Sequence, residues 1–196
     1  MNGFCPSFVT VTGAELLRPE ITQEVLPDVA EPVRQCSLKE PYAIALTGVG
    51  GTGVVTVGAL LGMAAHLEGR GCGIIDMAGL AQKGGAVVSH IKLAERPEDI
   101  KAIRIATGGT DLLLGCDMLV SNADAVMATL DAQRSHVVTN ANPLMPGDFV
   151  SDPDFNLPEA RMRELLVAAV GEEKATFVAA TDIATGLLGD LSLIHI

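Results

Sequence analysis

The chain has 196 residues, 48% of them hydrophobic, and its 24 Asp and Glu outnumber 13 Lys and Arg to give a net charge of −11. This composition fits one globular domain with a short appendage and excludes a chain that is disordered throughout. The acidic balance argues against nucleic acid and anionic membranes as partners. Four widely spaced cysteines exclude a disulfide framework, and the first residues lack a signal-peptide pattern, so we expect a cytoplasmic protein.

The first third of the chain divides near Pro41. Residues 1–40 are rich in proline and acidic residues, which predicts an extended tail and linker. From Pro41 to Leu67 there is no charged residue, but six glycines argue against a membrane span there, because they would expose unpaired backbone groups to lipid. The pattern instead predicts a buried strand over Ala43–Thr47, a glycine turn and a helix over Val54–Leu67.

The rest of the chain alternates between apolar runs of strand length and helix-forming segments. We expect an edge or antiparallel strand at Ala86–Leu93, whose polar and apolar residues alternate, whereas Asp111–Gly115 is apolar but ambiguous. The other predicted elements are buried strands at Gly73–Met77, Met118–Ser121 and His136–Thr139, a last strand at Thr176–Ala180, and helices at Asp124–Leu130, Pro158–Val170 and Asp182–Leu188. This order predicts an α/β fold: a three-layer α/β/α Rossmann-like domain with a mainly parallel sheet over residues 41–190, followed by a ragged end at 191–196.

The first motif lies between the first predicted strand and helix. Gly48, Gly50 and Gly53 fit the dinucleotide fingerprint G-x-G-x-x-G, with Gly51 as an additional glycine. Asp76 lies 23 residues after Gly53, at the end of the second strand. In that fingerprint the backbone approaches a pyrophosphate at the helix N-terminus, and a carboxylate binds the ribose. The alternative is that these glycines only allow the helix to pack closely on the sheet.

A second glycine-rich segment, Gly79-Leu-Ala-Gln-Lys-Gly-Gly85, follows the second strand. Its polar pair Gln82-Lys83 stands before Gly84 and Gly85, at the carboxyl end of a strand, where ligands and partners bind in α/β sheets. Lys83 could meet an anionic group, and the paired glycines would let another backbone come close. The alternative is a surface loop with a solvated lysine.

The remaining chemistry-bearing residues form no complete catalytic set, so no catalytic residue is predicted. Cys5 precedes Pro6, and a Cys-Pro step is typical of the last ligand of an iron–sulfur cluster, although a free thiol is the alternative. The other cysteines and the four histidines lack metal-ligand spacing. Cys72 and Cys116 are predicted to be small core residues, and Cys36 a linker thiol. The histidines are predicted to be hydrogen-bonded or at the surface: His66, His90, His136 and His195.

Three segments together resemble one family. Gly3-Phe-Cys-Pro-Ser-Phe-Val9, the glycine motif at 48–53 and the segment at 79–85 resemble, in this order, the fused bacterial indolepyruvate enzymes of the 2-oxoacid:ferredoxin oxidoreductase family. On this resemblance residues 1–12 correspond to the end of the thiamine-diphosphate and iron–sulfur part, and about 41–190 to the gamma domain. The resemblance covers most of the chain.

The resemblance implies oxidative decarboxylation of an aryl pyruvate to an acyl-CoA, with ferredoxin as electron acceptor. Thiamine diphosphate and 4Fe-4S clusters would serve the full enzyme, CoA would be the co-substrate, and neither bound cofactor is expected in this fragment, although Cys5 would match a cluster ligand. The implied partners are the other domains of the same enzyme and ferredoxin, in a homo-oligomer at full length. On this resemblance both glycine segments act in packing and domain contacts, near the thiamine or CoA pocket. Two other classes stay open: an independent NAD-dependent dehydrogenase and a non-catalytic module that binds a nucleotide or CoA.

Overall fold

A computed structural model describes residues 38–79, 85–142 and 158–188. These residues form a six-stranded sheet in the order β2-β3-β1-β4-β5-β6. The strands are β1 (Tyr42–Val49), β2 (Gly71–Ala78), β3 (Ala86–Ala94), β4 (Leu112–Gly115), β5 (His136–Asn140) and β6 (Ala175–Val178). The α-helices are α1 (Val54–Leu67), α2 (Met118–Ser121), α3 (Asp124–Met127), α4 (Glu159–Val170) and α5 (Ala180–Leu188), and single 3₁₀ turns lie at Pro97–Asp99 and Glu172–Lys174.

The sheet is mainly parallel, with one antiparallel strand inside it. Strands β1, β4, β5 and β6 run parallel to one another, whereas β3 is antiparallel to both of its neighbours, β1 and β2. Only a short connection separates β2 from β3, and a connection of that length can join antiparallel but not parallel neighbours. The antiparallel direction predicted for β3 is confirmed, but the strand lies inside the sheet instead of at its edge.

Two predictions for single elements are wrong. Strand β2 is the sheet edge instead of a buried strand, and Ile75 within it is 41% exposed. Met118–Ser121 forms helix α2 and not a strand, because the side chain of Asp117 accepts a hydrogen bond from the Val120 N–H and so caps a helical turn. The ambiguous segment before it contains β4, which pairs between β1 and β5.

The core lies on both faces of the sheet, which confirms the three-layer α/β prediction. On one face Ala43, Ala45 and Leu113 pack with side chains of α3 and α4. On the other face Ile44 and Leu46 pack against α1. Consecutive residues of β1 therefore face opposite layers, as the alternation of side chains along a strand requires.

Helix α1 lies very close to the sheet because it presents glycines to it. A Cβ atom placed on Gly62 would lie 2.9 Å from Ile74 Cδ1, and one on Gly58 would lie 3.8 Å from Ile91 Cδ1. The uncharged stretch at 41–67 thus becomes β1, a turn and the 14-residue helix α1. None of the helices in the described residues is long and apolar enough to cross a membrane.

Candidate functional site

The candidate site lies at the carboxyl edge of the parallel strands, around residues 48–53, which we call the glycine loop. Gly48 is required there for packing, since a Cβ atom on it would lie 2.5 Å from both Thr52 Oγ1 and Val54 Cγ2. Gly53 caps α1 in the left-handed conformation, with φ of 81°. These two positions are therefore fixed by the tight turn from β1 into α1.

The backbone amides of the glycine loop are largely used within the protein. The Val49 N–H donates to Asp117 Oδ2 at 2.8 Å, and the Gly50 N–H donates to the Gly85 carbonyl at 2.7 Å. The Thr52 N–H and the Thr52 hydroxyl both donate to the Val49 carbonyl, at 3.0 and 2.7 Å. Three amides that could otherwise meet a phosphate thus already have partners.

Asp117 is a buried carboxylate that joins the glycine loop to α2. Its side chain accepts from the Val49 N–H and from the Val120 N–H, each at 2.8 Å, and the residue is 1% exposed. Burial raises the pKa of Asp117 above its usual range, although the backbone donors Val120, Val49 and Leu119 oppose this shift. A carboxylate directly beneath the loop disfavours a second anion there, because like charges repel most strongly at low dielectric.

A layer of buried hydroxyl groups continues the site from β1 to α2. Thr47 Oγ1 lies 2.9 Å from Ser121 Oγ, and Ser121 Oγ donates to the Asp117 carbonyl at 2.6 Å. Both side chains are completely buried. Buried hydroxyls that are paired in this way hold the strand ends and α2 in one arrangement.

Two asparagines at the end of β5 hold the start of α5. Asn140 Oδ1 accepts from the Ala180 N–H at 3.1 Å, and Asn142 Oδ1 accepts from the Thr181 N–H at 3.2 Å. The Asn140 amide also donates to the Cys116 carbonyl at 3.2 Å. The sequence analysis missed Asp117, Asn140 and Asn142; their signal is a short polar side chain directly after a strand and, for Asp117, directly before a helical turn.

The structure brings part of the two glycine segments together. Gly50 and Gly85 are joined by the hydrogen bond described above, whereas Cys5, Gln82, Lys83 and Gly84 lie outside the described residues. Asp76 is on β2, and β3 separates it from β1 by two strand spacings, about 10 Å. It accepts a hydrogen bond from Ser89 on β3. The strand order thus differs from the dinucleotide-binding arrangement, in which the first two strands are neighbours.

The described histidines and cysteines agree with their predicted structural roles. His66 and His136 are exposed, and His90 is buried with its Nδ1 accepting from the Ile105 N–H at 2.9 Å. Burial raises the pKa of the Cys72 thiol, and burial followed by the charge of Asp117 raises the pKa of the Cys116 thiol. No three His, Cys, Asp or Glu side chains gather as metal ligands in the part of the chain that the structure describes. Cys36 and His195 are not in that part.

Fold and site together define an α/β domain whose glycine loop and strand ends meet at one edge of the sheet. Residues 43–192 match the family model described as pyruvate ferredoxin/flavodoxin oxidoreductase. Because this match covers well over half of the chain, the chain belongs to that family. The resemblance to 2-oxoacid:ferredoxin oxidoreductases drawn from the sequence motifs is confirmed.

Individual relatives agree with the family assignment. The chain is 29% identical over 106 residues to indolepyruvate oxidoreductase subunit IorB of Thermococcus kodakarensis, a match that covers 54% of this chain and 49% of the relative. The chain thus spans about half the length of the curated relatives it matches.

Solved structures agree in fold. The pyruvate oxidoreductase subunit PORC of Thermotoga maritima has a TM-score of 0.52 at 17% identity, with 79% of this chain and 70% of that chain covered. The 2-oxoglutarate:ferredoxin oxidoreductase of Magnetococcus marinus, solved with 2-oxoglutarate, coenzyme A and succinyl-CoA bound, has a TM-score of 0.50 at 15% identity, with 75% and 21% covered. At these identities the likeness concerns the fold.

Proposed function

We propose that this chain is the gamma part of an oxidoreductase that converts indolepyruvate or a related aryl 2-oxoacid, with CoA, to an acyl-CoA and CO₂. The observation that carries the proposal is the family match over residues 43–192, and its substrate class rests on relatives named for indolepyruvate. In this reaction the bond to the carboxylate breaks and CO₂ leaves, the CoA thiol releases its proton as its sulfur bonds to the acyl carbon, and two electrons pass singly to two ferredoxins. The proposed location of the enzyme is the cytoplasm.

The described residues do not provide the ligands that an iron–sulfur cluster of this reaction needs. A 4Fe-4S cluster needs four thiolates, and the described residues hold two cysteines, Cys72 and Cys116, both kept in the thiol form by a raised pKa. Thiamine diphosphate and the clusters are therefore assigned to other parts of the assembled enzyme, where they supply the carbanion and the electron path. Cys5 is proposed as a ligand together with cysteines from those parts.

We assign the contact with those parts first to the outer face of α1. Val55, Met63 and Leu67 follow one another at multiples of four residues, so they share a face, and Leu60 lies beside them. Their exposed fractions are 53%, 57%, 79% and 65%, and α1 carries no Asp, Glu, Lys or Arg. An uncharged apolar helix face of this kind is characteristic of a surface that another protein surface covers.

We assign a structural role to the glycine loop as well. Its amides at Val49 and Gly50 hold Asp117 and Gly85, which supports packing at Gly48, Gly50, Gly51 and Gly53 over a free-standing NAD site. Gly85 and the residues before it in the sequence, Gln82, Lys83 and Gly84, are proposed as a contact with the neighbouring catalytic parts, near the thiamine or CoA pocket.

The substrate proposal is tested by steady-state kinetics of the assembled oxidoreductase that contains this chain. CoA-dependent reduction of a viologen dye is measured with indolepyruvate, phenylpyruvate, pyruvate and 2-oxoglutarate. We expect kcat/KM for the two aryl substrates to exceed that for the other two at least tenfold. A preference for pyruvate or 2-oxoglutarate would overturn the substrate class while leaving the family assignment intact.

The docking face is tested by charge substitutions that leave the fold intact. Leu60→Glu and Leu67→Glu place a carboxylate on the outer face of α1, and Ile183→Glu is the matched control, since Ile183 is 54% exposed on α5. We expect the two α1 variants to fold normally but to separate from the rest of the enzyme in size-exclusion chromatography. Assembly equal to that of the control would refute the assignment of α1.

The competing nucleotide-binding function is tested with the same chain. NADH, NADPH and CoA are titrated by calorimetry into the wild type and a Gly51→Asp variant. We expect no nicotinamide binding, because the amides of Val49 and Gly50 already donate to acceptors within the protein and the Asp117 carboxylate repels a pyrophosphate. Tight nicotinamide binding that the variant loses would establish a dinucleotide site and replace the proposed role of the glycine loop.

A further inference from the structure

On the sheet face opposite α1, a cavity of about 550 Å³ lies between the strands and α3. Apolar side chains of β1, β2, β3 and α3 line one side of it, and its polar side chains lie on β3, on the segment that follows β3 and, at Thr129, just after α3. The apolar side includes Ala45, Met77, Val88 and Val126, and the polar side includes His90 and Arg104. A volume of this size falls within the range of small-molecule sites, which is about 300–1,000 Å³.

His90 supplies a neutral hydrogen-bond donor in this cavity. Its Nδ1 accepts from the Ile105 N–H at 2.9 Å, so in the neutral ring the proton is on Nε2. Burial, followed by the charges of Arg104 and Lys92, lowers the pKa of His90, which keeps the ring neutral at pH 7. Within the described residues no group accepts a hydrogen bond from Nε2.

Arg104 supplies a positive charge that no carboxylate of the described residues pairs with. The ion pairs of the described residues involve Arg70, Arg96, Arg134 and Arg161, and none of them involves Arg104. Lys92 adds positive charge, since it lies two residues beyond His90 and therefore on the same face of β3. In a chain with a net charge of −11, the charged groups that act on His90 in this cavity are thus both positive.

We propose that this cavity binds a small monocarboxylate with an apolar body, its carboxylate held by Arg104 and by the Nε2–H of His90. The planar guanidinium matches the two oxygens of a carboxylate, and the imidazole adds one further donor. The apolar body lies against Ala45, Val88 and Val126. Of the two cations only Arg104 lines the cavity, and one lining cation with one neutral donor suits a single negative charge better than the two charges of a phosphate. This site goes beyond the proposed function and does not depend on it.

The test uses the full chain and isothermal titration calorimetry at pH 7.5. The probes are 3-phenylpropionate, its neutral amide 3-phenylpropanamide, and inorganic phosphate as competitor. For a ligand of this size we expect a Kd of about 0.1–1 mM for the acid. The amide should bind at least about tenfold more weakly because it lacks the charge-assisted bond. Phosphate at the concentration of the probe should not displace the acid.

Two variants separate this site from general charge attraction. Arg104→Gln removes the guanidinium from an exposed residue without disturbing the core, and Arg161→Gln is the control, because Arg161 is an exposed arginine on α4. We expect Arg104→Gln to weaken binding about tenfold and Arg161→Gln to leave it unchanged. Equal binding of acid and amide, displacement by phosphate, no binding of the acid at 10 mM, or wild-type affinity in Arg104→Gln would each overturn the proposal.

Discussion

Asp117 offers the most direct test of how the carboxyl edge is held together. Asp117→Ala leaves the N–H groups of Val49 and Val120 without their buried acceptor. Each unpaired buried donor costs about 1–3 kcal/mol, but removal of a buried carboxylate recovers part of this, so we expect a net loss of about 3 kcal/mol. Asp117→Asn keeps one acceptor oxygen and the shape of the side chain, and we expect it to cost about 1–2 kcal/mol.

The assay is urea unfolding followed by circular dichroism, with Asp124→Asn as a control at an exposed aspartate at the start of α3. The direction in which stability changes with pH gives a second, independent test. Because burial raises the pKa of Asp117, its proton binds the folded state more tightly than the unfolded state. The stability of the wild type relative to Asp117→Asn should therefore increase as the pH falls from 7.5 toward 5. A decrease would show that the backbone hydrogen bonds outweigh burial, and costs equal to the control would refute the bridging role.

Three further predictions concern single residues. Gly48→Ala should destabilise the chain by about 1–3 kcal/mol through overpacking. Gly51 has a φ of 102°, but an added Cβ would meet no atom within 4 Å, so Gly51→Ala should cost about 1 kcal/mol through backbone strain alone. Equal urea midpoints of the two variants would contradict this. Because burial raises the pKa of Cys72 and Cys116, iodoacetamide at pH 7.5 should label both at least about tenfold more slowly in the folded chain than in the urea-unfolded chain. The measurement is peptide mapping of a Cys5→Ser, Cys36→Ser variant. Because the pKa of His90 is lowered in the folded state, its contribution to stability is present above pH 6.5 and is lost as the pH falls through the folded pKa. The free energy of unfolding of the wild type should therefore exceed that of His90→Gln by less at pH 5 than at pH 6.5. A constant difference between the two proteins would contradict this.

The layer architecture was accessible from the sequence because it depends on local patterns. The apolar run that becomes β1, the glycine turn and the helix formers of α1 carry their own signals, and the alternation in Ala86–Leu93 indicated an edge or antiparallel strand. Strand order depends on pairing between distant segments, and hydropathy does not report it. The pattern therefore gave no sign that β3 lies between β1 and β2, or that β2 is an edge strand.

The candidate site was accessible in part for a similar reason. The glycines were visible as a motif, but the partners of their amides belong to residues far along the chain, such as Asp117, which is 68 residues from Val49. Helix α2 was missed because its four residues, three of them apolar, are too few to show a helical period, and only its cap, Asp117, distinguishes it from a short strand. Contacts over such separations are set by the fold as a whole.

The G-x-G-x-x-G spacing of the glycine loop meets two physical needs that need not occur together. One is a tight strand-to-helix turn, and here the lack of space for a Cβ atom on Gly48 demonstrates that need directly. The other is a free row of amides facing a phosphate, and here Asp117 and Gly85 accept hydrogen bonds from two of those amides. The ribose carboxylate of a dinucleotide site also requires the second strand beside the first, whereas β3 occupies that place. In this chain the turn accounts for Gly48 and Gly53 without any ligand, which is why we propose packing and not NAD binding as the role of the motif.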